Sequence, residues 1–125
     1  MESLIIEKTN DTPSINFNIE TGIFRISDTS WPEDAKRFYT PILEWLKKYF
    51  EAPKPEIVFE FDFNYFNTSS AKIISKILKM LKDNFDKSNI KIKWFYDVDD
   101  LDMKKAGERY SELLEIKFEF IEIKD

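Results

Sequence analysis

The sequence contains no histidine and no cysteine. Catalysis by Ser-His or Cys-His pairs is therefore excluded, as are disulfides, histidine-ligated metals and structural zinc sites. Only carboxylate, lysine, tyrosine or backbone chemistry remains. We expect a protein that is not an enzyme and that carries no cofactor and no metal.

Glycine is scarce, and long hydrophobic runs are absent. Two glycines and five prolines among 125 residues leave little room for low-complexity segments, while 42% hydrophobic residues suffice for a core. The first ten residues hold only a short apolar run, Leu4 to Ile6, preceded by Glu2. Such a start resembles neither a signal peptide nor a membrane span. We expect one domain over residues 1–125, located in the cytoplasm, with no membrane partner.

Basic residues are outnumbered by acidic ones, 19 against 24, which gives a net charge of −5. Sequence-independent binding of DNA or RNA needs a basic surface. The charge balance therefore predicts no nucleic-acid partner, although a local basic stripe exists in the middle of the chain.

The segment from Glu56 to Phe66 gives the clearest strand pattern. Phe59, Phe61 and Phe63 alternate with Glu60 and Asp62. Alternate residues of a strand face opposite sides of a sheet. The pattern predicts a strand that is covered on one face only.

Other periodic segments surround this strand. A hairpin is predicted from Ile15–Ile19 and Gly22–Ser27, and Ser30 with Glu33 predicts a capping box before the first helix. Further strands are predicted over residues 4–8, 90–96 and 116–123, and helices over 30–50, 69–85 and 100–114. This order predicts a two-layer α/β domain in which three helices cover one face of a mixed, mostly parallel sheet.

Hydroxyl side chains follow the Glu56–Phe66 strand, where the next helix is predicted to begin. Thr68, Ser69 and Ser70 come directly after Asn67. They can serve as helix caps, or one of them can carry a phosphate, because free N–H groups at a helix N-terminus favour an anion. The residues alone leave both readings open.

Three stretches match a known family. The longest is Tyr65-Phe66-Asn67-Thr68-Ser69-Ser70-Ala71-Lys72; the others are Trp31-Pro32-Glu33 with Phe38-Tyr39-Thr40-Pro41 and Trp45-Leu46, and the tract from Trp94 through Asp99-Asp100 to Ala106-Gly107-Glu108 and Tyr110. From Thr12 to Ile123 the chain resembles the SiaC-type biofilm-regulation phosphoproteins of bacteria, which are similar in outline to STAS-domain anti-anti-sigma factors. It departs from their pattern at Asp28, where glycine is usual, and at Asp34, where asparagine is usual.

This resemblance implies a signalling switch. Members of the family are phosphorylated on the threonine of the Asn-Thr-Ser-Ser motif, which is Thr68 here, with Ser69 and Ser70 as fallback acceptors. A partner protein kinase adds the phosphate and a PP2C-type phosphatase removes it. The unphosphorylated form binds and activates a partner such as a diguanylate cyclase.

A row of lysines accompanies Thr68 on the predicted second helix. Lys72, Lys76, Lys79 and Lys82 recur at spacings of three and four, which places them on one helix face. The row is either a solvated face or a contact for an acidic partner. In the second reading the partner-binding residues are Phe66, Asn67, Lys72, Lys76 and Lys79, with Phe66 as an aromatic anchor.

Two alternative functions remain open. An anti-anti-sigma factor would use the same switch against an anti-sigma kinase. A metal-dependent enzyme would use the carboxylates of Asp97, Asp99, Asp100 and Asp102, since hard cations bind such oxygens. Acidic capping of the third helix explains the same cluster.

Overall fold

The computed structural model describes residues 1–124. Three consecutive strands are followed by three helix–strand units: β1 (Leu4–Ile6), β2 (Ser14–Asn18), β3 (Ile23–Ser30), α1 (Ala35–Tyr49), β4 (Glu56–Phe66), α2 (Thr68–Asp83), β5 (Asn89–Asp97), α3 (Leu101–Leu114) and β6 (Phe118–Ile123). No helix among these residues is both long and apolar enough to span a bilayer.

The strands form one sheet in which spatial order follows chain order, from β1 to β6. The pairs β1–β2 and β2–β3 are antiparallel, and the predicted hairpin turns at Gly22, whose φ is +74°. The pairs β3–β4, β4–β5 and β5–β6 are parallel, each joined by a helix. Parallel neighbours require such crossover connections. The predicted mixed, mostly parallel sheet is confirmed.

The two faces of the sheet differ in chemistry. Phe24 pairs with Phe59, which pairs with Ile92, and all three side chains are buried. The next row, Arg25, Glu60 and Lys93, is only partly buried and lies on the opposite face. Burial of Phe59, Phe61 and Phe63 beside partly exposed Glu60 and Asp62 confirms the predicted one-sided strand.

All three helices cover the aromatic face. From α1, Trp45 contacts Phe17 and Phe24, with ring centroids 5.5 Å apart in both pairs. From α2, Ile74, Ile77 and Leu78 are fully buried. From α3, Gly107 lies directly against Trp94.

The start of α1 differs from the sequence prediction. Ser30 does not cap the helix, because β3 continues through it and pairs it with Phe66 of β4. The cap is instead Asp34, whose carboxylate accepts a hydrogen bond from the Arg37 N–H at 3.1 Å. The Ser30–Glu33 capping box was therefore wrong: pairing with a strand distant in sequence outweighs a local capping signal.

The third helix buries only a narrow strip against the sheet. Met103 and Gly107 are its buried residues, whereas Leu113 is 74% exposed. Gly107 lies where a helical side chain would have met the sheet, and a Cβ there would lie 2.5 Å from Cδ1 of Trp94. The indole Nε1 of Trp94 donates to the Met103 carbonyl at 3.0 Å, which holds the ring beneath the helix.

Candidate functional site

The chain passes from β4 into α2 through a single residue, Asn67. Its side-chain oxygen accepts a hydrogen bond from the Ser70 N–H at 2.9 Å, so Asn67 is the N-cap of α2. Its own N–H donates to the Ser30 carbonyl at 3.0 Å, which joins the cap to the end of β3. The first turn of α2 is thus held by both its own cap and the sheet.

A buried hydroxyl network lies beneath this turn. Ser30 Oγ donates to Ser70 Oγ at 2.9 Å and lies 2.6 Å from the hydroxyl of Tyr39. These three side chains come from β3, α2 and α1 and are fully buried. Burial raises the pKa of Tyr39 to about 12, against a smaller lowering by the hydrogen bond with Ser30.

The three hydroxyls of the motif occupy different environments. Thr68 is the first residue of α2 and is exposed, and within residues 1–124 its hydroxyl has no hydrogen-bond partner. Ser69 is exposed and donates to Asn67 Oδ1 at 3.3 Å. Ser70 has no exposed surface, and its Oγ accepts a hydrogen bond from Ser30 Oγ. It is therefore the least accessible of the three hydroxyls, and its role as a fallback acceptor stays a prediction.

A groove of about 340 Å³, here called the α2–α3 groove, opens beside Thr68. Its lining residues are Phe66, Thr68, Ala71, Lys72, Ser75, Ala106, Arg109, Tyr110 and Leu113. The Tyr110 hydroxyl donates to the Ala71 carbonyl at 2.7 Å and so connects the two helices. Burial raises the pKa of Tyr110 to about 12, while the positive charge of Arg109 acts in the opposite direction.

The lysine row divides into two parts. Lys72, Lys76 and Lys79 are exposed, and within the described chain none of them forms an ion pair. Lys82 instead donates from Nζ to the Leu114 carbonyl at 2.7 Å, at the end of α3. Lys72, Lys76 and Lys79 thus form an exposed lysine stripe along α2.

Phe66 is more embedded than an exposed anchor would be. Its ring centroid lies 5.3 Å from that of Phe63, 6.3 Å from Trp94 and 6.4 Å from Tyr110. It is half-buried at the margin of the core, so only part of its ring reaches the groove.

Sequence reasoning missed an exposed aromatic pair near the same end of the sheet. Trp31 and Tyr65 are 53% and 52% exposed, and their rings meet edge to face at a centroid distance of 6.2 Å. The exposure of Tyr65 follows from the pairing of β3 with β4. Asp28 pairs with Phe63 but Thr29 pairs with Tyr65, so a register shift ends the strict alternation of β4 before Tyr65. Tryptophan and tyrosine are enriched at protein interfaces relative to the rest of the surface.

Two aspartates before α3 accept hydrogen bonds from backbone N–H groups. Asp100 caps the helix by accepting from the Met103 N–H at 3.1 Å, and Asp97 accepts from the Asp99 N–H at 2.9 Å. Residues 1–124 contain no group of three or more acidic side chains arranged to hold a metal ion. The geometry gives no support to the metal-dependent enzyme.

Fold and site together define a one-sided α/β domain that presents an accessible threonine at a helix N-terminus. The family model for "SiaC family regulatory phosphoprotein" matches residues 6–123. The chain therefore belongs to the SiaC family of regulatory phosphoproteins.

Similar proteins come from Pseudomonas aeruginosa. An uncharacterized protein of strain UCBPP-PA14 is 25% identical over 116 residues, which span 92% of this chain and 86% of that protein. The structure of apo-SiaC is similar with a TM-score of 0.86 and 23% identity, covering 98% of both chains. A structure of the diguanylate cyclase SiaD in complex with its activator SiaC matches with a TM-score of 0.86 and 22% identity, covering 98% of this chain and 99% of that chain.

Proposed function

We propose that this chain is a non-catalytic signalling switch whose state is set by reversible phosphorylation of Thr68. A protein kinase transfers the γ-phosphoryl group of ATP to Thr68 Oγ1 with release of ADP and a proton, and a PP2C-type phosphatase hydrolyses the ester. The observation that carries the proposal is the exposed, unpartnered Thr68 hydroxyl at the first position of α2.

Phosphorylation at this position changes the surface without disturbing the fold. The cap of α2 is Asn67, so Thr68 is not needed to begin the helix. A phosphate adds about −1.5 to −2 charges, which the N–H groups of the first turn tolerate. The buried Ser30–Tyr39–Ser70 network lies beneath the turn and does not involve the Thr68 hydroxyl, so it needs no rearrangement when Thr68 is modified.

The unphosphorylated surface offers features that suit an acidic protein partner. Asn67 and Thr68 lie beside the lysine stripe, and the partly exposed ring of Phe66 lies at the groove. A phosphate at Thr68 would offset the positive charge of this surface and add bulk to it. The Trp31–Tyr65 pair adds exposed aromatic area.

A diguanylate cyclase is the partner that the comparisons favour. SiaC, which shares the fold of this chain, was solved in complex with the cyclase SiaD as its activator. Membership in a family of regulatory phosphoproteins supports a non-catalytic role. A kinase that uses ATP and a cyclase that uses GTP both draw on intracellular nucleotides, which supports action in the cytoplasm.

The test combines site mapping with cyclase activation. Mass spectrometry of the chain from its own cells should find phosphate on Thr68. In assays with the cyclase of the same organism, unmodified protein and Thr68→Ala should activate, kinase-treated protein should not, and Thr68→Glu should activate weakly because it mimics only part of the charge. Ser69→Ala, which alters the neighbouring exposed hydroxyl, is the matched control and should still respond to the kinase.

Two outcomes would contradict the proposal. If phosphate maps to Thr68 but kinase-treated protein binds and activates the cyclase as well as unmodified protein does, Thr68 is not a switch. If the chain never acquires phosphate in its own cells, the regulation fails at its first step.

A further inference from the structure

Two cations line the same groove as the Thr68 hydroxyl. Lys72 lies one helical turn after Thr68 on α2, and Arg109 lies across the groove on α3. Side chains four residues apart on a helix have Cβ atoms about 5–6 Å from each other. The hydrogen bond of 2.7 Å between Tyr110, which adjoins Arg109, and Ala71 holds α3 close to α2 at this level.

Neither cation is engaged elsewhere in the described part of the chain. Among residues 1–124, Lys72 and Arg109 form no ion pair, whereas Arg25 on the open sheet face pairs with both Glu60 and Asp62. The lining of the α2–α3 groove includes no carboxylate. The groove thus holds two unmatched positive charges next to a modifiable hydroxyl.

We propose that the α2–α3 groove is an intramolecular phosphate-binding site, in which Arg109 and Lys72 bind the phosphate carried by Thr68. The inference rests on the proposed function for the identity of the modified residue. The guanidinium of Arg109 has the planar donor geometry that matches two phosphate oxygens, and the ammonium of Lys72 supplies a point charge to a third.

With this site, phosphorylation of Thr68 changes the partner-binding surface of the chain in two ways. Phosphorylation adds an anion, and the anion also draws Lys72 and Arg109 into the mouth of the groove. Lys72 then no longer belongs to the lysine stripe that faces a partner. In the same step the α2–α3 groove becomes narrower between its apolar walls, which include the exposed Leu113.

The experiment measures the second pKa of the phosphate directly. Phosphothreonine is installed at position 68 during translation, so that no kinase is needed, and the phosphorus NMR signal is followed against pH. In the otherwise unchanged protein this pKa should lie below its ordinary value of about 6, because nearby cations favour the dianion. The matched substitutions are Arg109→Gln and Lys72→Gln in the groove, and Lys117→Gln in a different groove at the start of β6.

We expect Arg109→Gln to raise the phosphate pKa by roughly half a unit or more, Lys72→Gln to raise it less, and Lys117→Gln to leave it unchanged. The N-terminus of α2 also stabilises the dianion, but it does so equally in all four proteins, so the differences report on the side chains. The Nε–H signal of Arg109 should shift on phosphorylation of Thr68. Arg109→Lys, which keeps the charge but loses the planar fork, should give an intermediate pKa.

Equal phosphate pKa values in the unsubstituted protein and in Arg109→Gln would overturn this inference. If Arg109→Gln does not fold, an unchanged pKa in Arg109→Lys together with an unshifted Arg109 signal overturns it in the same way. The proposed function is tested separately: a chain that is never phosphorylated in its own cells contradicts the switch, whereas the installed phosphothreonine still reports on the groove.

Discussion

At the scale of single residues, Gly107 shows how one missing side chain allows a helix to approach a sheet. A Cβ at this position would lie 2.5–2.7 Å from three atoms of the Trp94 ring, closer than real contacts allow. The ring cannot easily move, because Trp94 is fully buried and its Nε1 donates to Met103.

We therefore expect Gly107→Ala to destabilise the protein by about 1–3 kcal/mol, although alanine favours helix formation by about 1 kcal/mol. Urea unfolding followed by circular dichroism measures the change. Lys105→Ala, at an exposed position of the same helix, should stay within about 0.5 kcal/mol of the unsubstituted protein. A Gly107→Ala protein at least as stable as the original would show that α3 can shift away from Trp94.

Asp28 is a second residue at which backbone geometry determines which side chains are tolerated. Its φ is +78°, and the register of β3 against β4 shifts directly after it. Aspartate tolerates this conformation better than most residues because its side chain can bond locally, and here Ser27 Oγ donates to Asp28 Oδ2 at 3.1 Å. Glycine adopts the conformation without strain.

We expect stability to fall in the order glycine, aspartate, alanine at position 28. Asp28→Gly should gain up to about 1 kcal/mol, since the ion pair lost with Lys8 is long, at 3.5 Å, and has an exposed lysine, so it contributes little. Asp28→Ala should lose about 1–2 kcal/mol because it keeps a Cβ and lacks the local hydrogen bond. Thermal unfolding of the three proteins tests this order, and alanine at or above aspartate would refute the strain argument.

At the scale of elements, sequence patterns correctly predicted the strands and turns that depend on interactions between residues close in sequence. The alternation of β4 predicted its bounds and, as far as Phe63, its covered face, and the glycine-containing turn predicted the β2–β3 hairpin. The start of α1 was mispredicted because pairing of β3 with β4 involves residues about 35 positions apart, which no local pattern reveals. The site divides similarly: Thr68 at the start of α2 followed from the sequence, while its association with Arg109 required the packing of α2 against α3.

The network of Ser30, Tyr39 and Ser70 links three elements and predicts a pH dependence. The pKa of Tyr39 is about 12 in the fold against 10.0 for the free side chain, so the fold retains the proton that the unfolded chain loses. The resulting stabilisation is fully present below pH 10 and is lost as the pH rises toward 12, by an amount on the order of 3 kcal/mol. Tyr110 contributes in the same direction.

Tyr39→Phe should weaken this dependence. The variant should lose about 1 kcal/mol at pH 7, because one buried hydrogen bond disappears while Ser30 still bonds to Ser70. Between pH 9 and pH 11 its free energy of unfolding in urea should fall less steeply than that of the unsubstituted protein, and Tyr39→Phe/Tyr110→Phe should fall less steeply still. Identical slopes in all three proteins would mean that the tyrosines do not control alkaline unfolding.

At the scale of the whole molecule, the net charge is negative while one surface is positively charged. The chain carries a net charge of −5, yet the exposed face of α2 presents the lysine stripe. An acidic partner is repelled by the molecule at long range and attracted by one face at short range. Salt screens both effects over about 8–10 Å, so association should depend on the stripe most strongly at low ionic strength.

If a diguanylate cyclase is the partner, as proposed above, Lys76→Gln/Lys79→Gln should slow association with it several-fold at low salt. The difference should shrink at high salt, because steering acts mainly on the association rate. The control Lys91→Gln/Lys117→Gln removes the same amount of charge from a groove beside β5 and β6, away from the lysine stripe. Stopped-flow or surface-based kinetics over a salt series distinguishes the two. If both double variants slow association equally, net charge governs the encounter and the lysine stripe has no specific part in it. If neither does, the partner contacts another face, and the exposed Trp31–Tyr65 pair becomes the first surface to substitute.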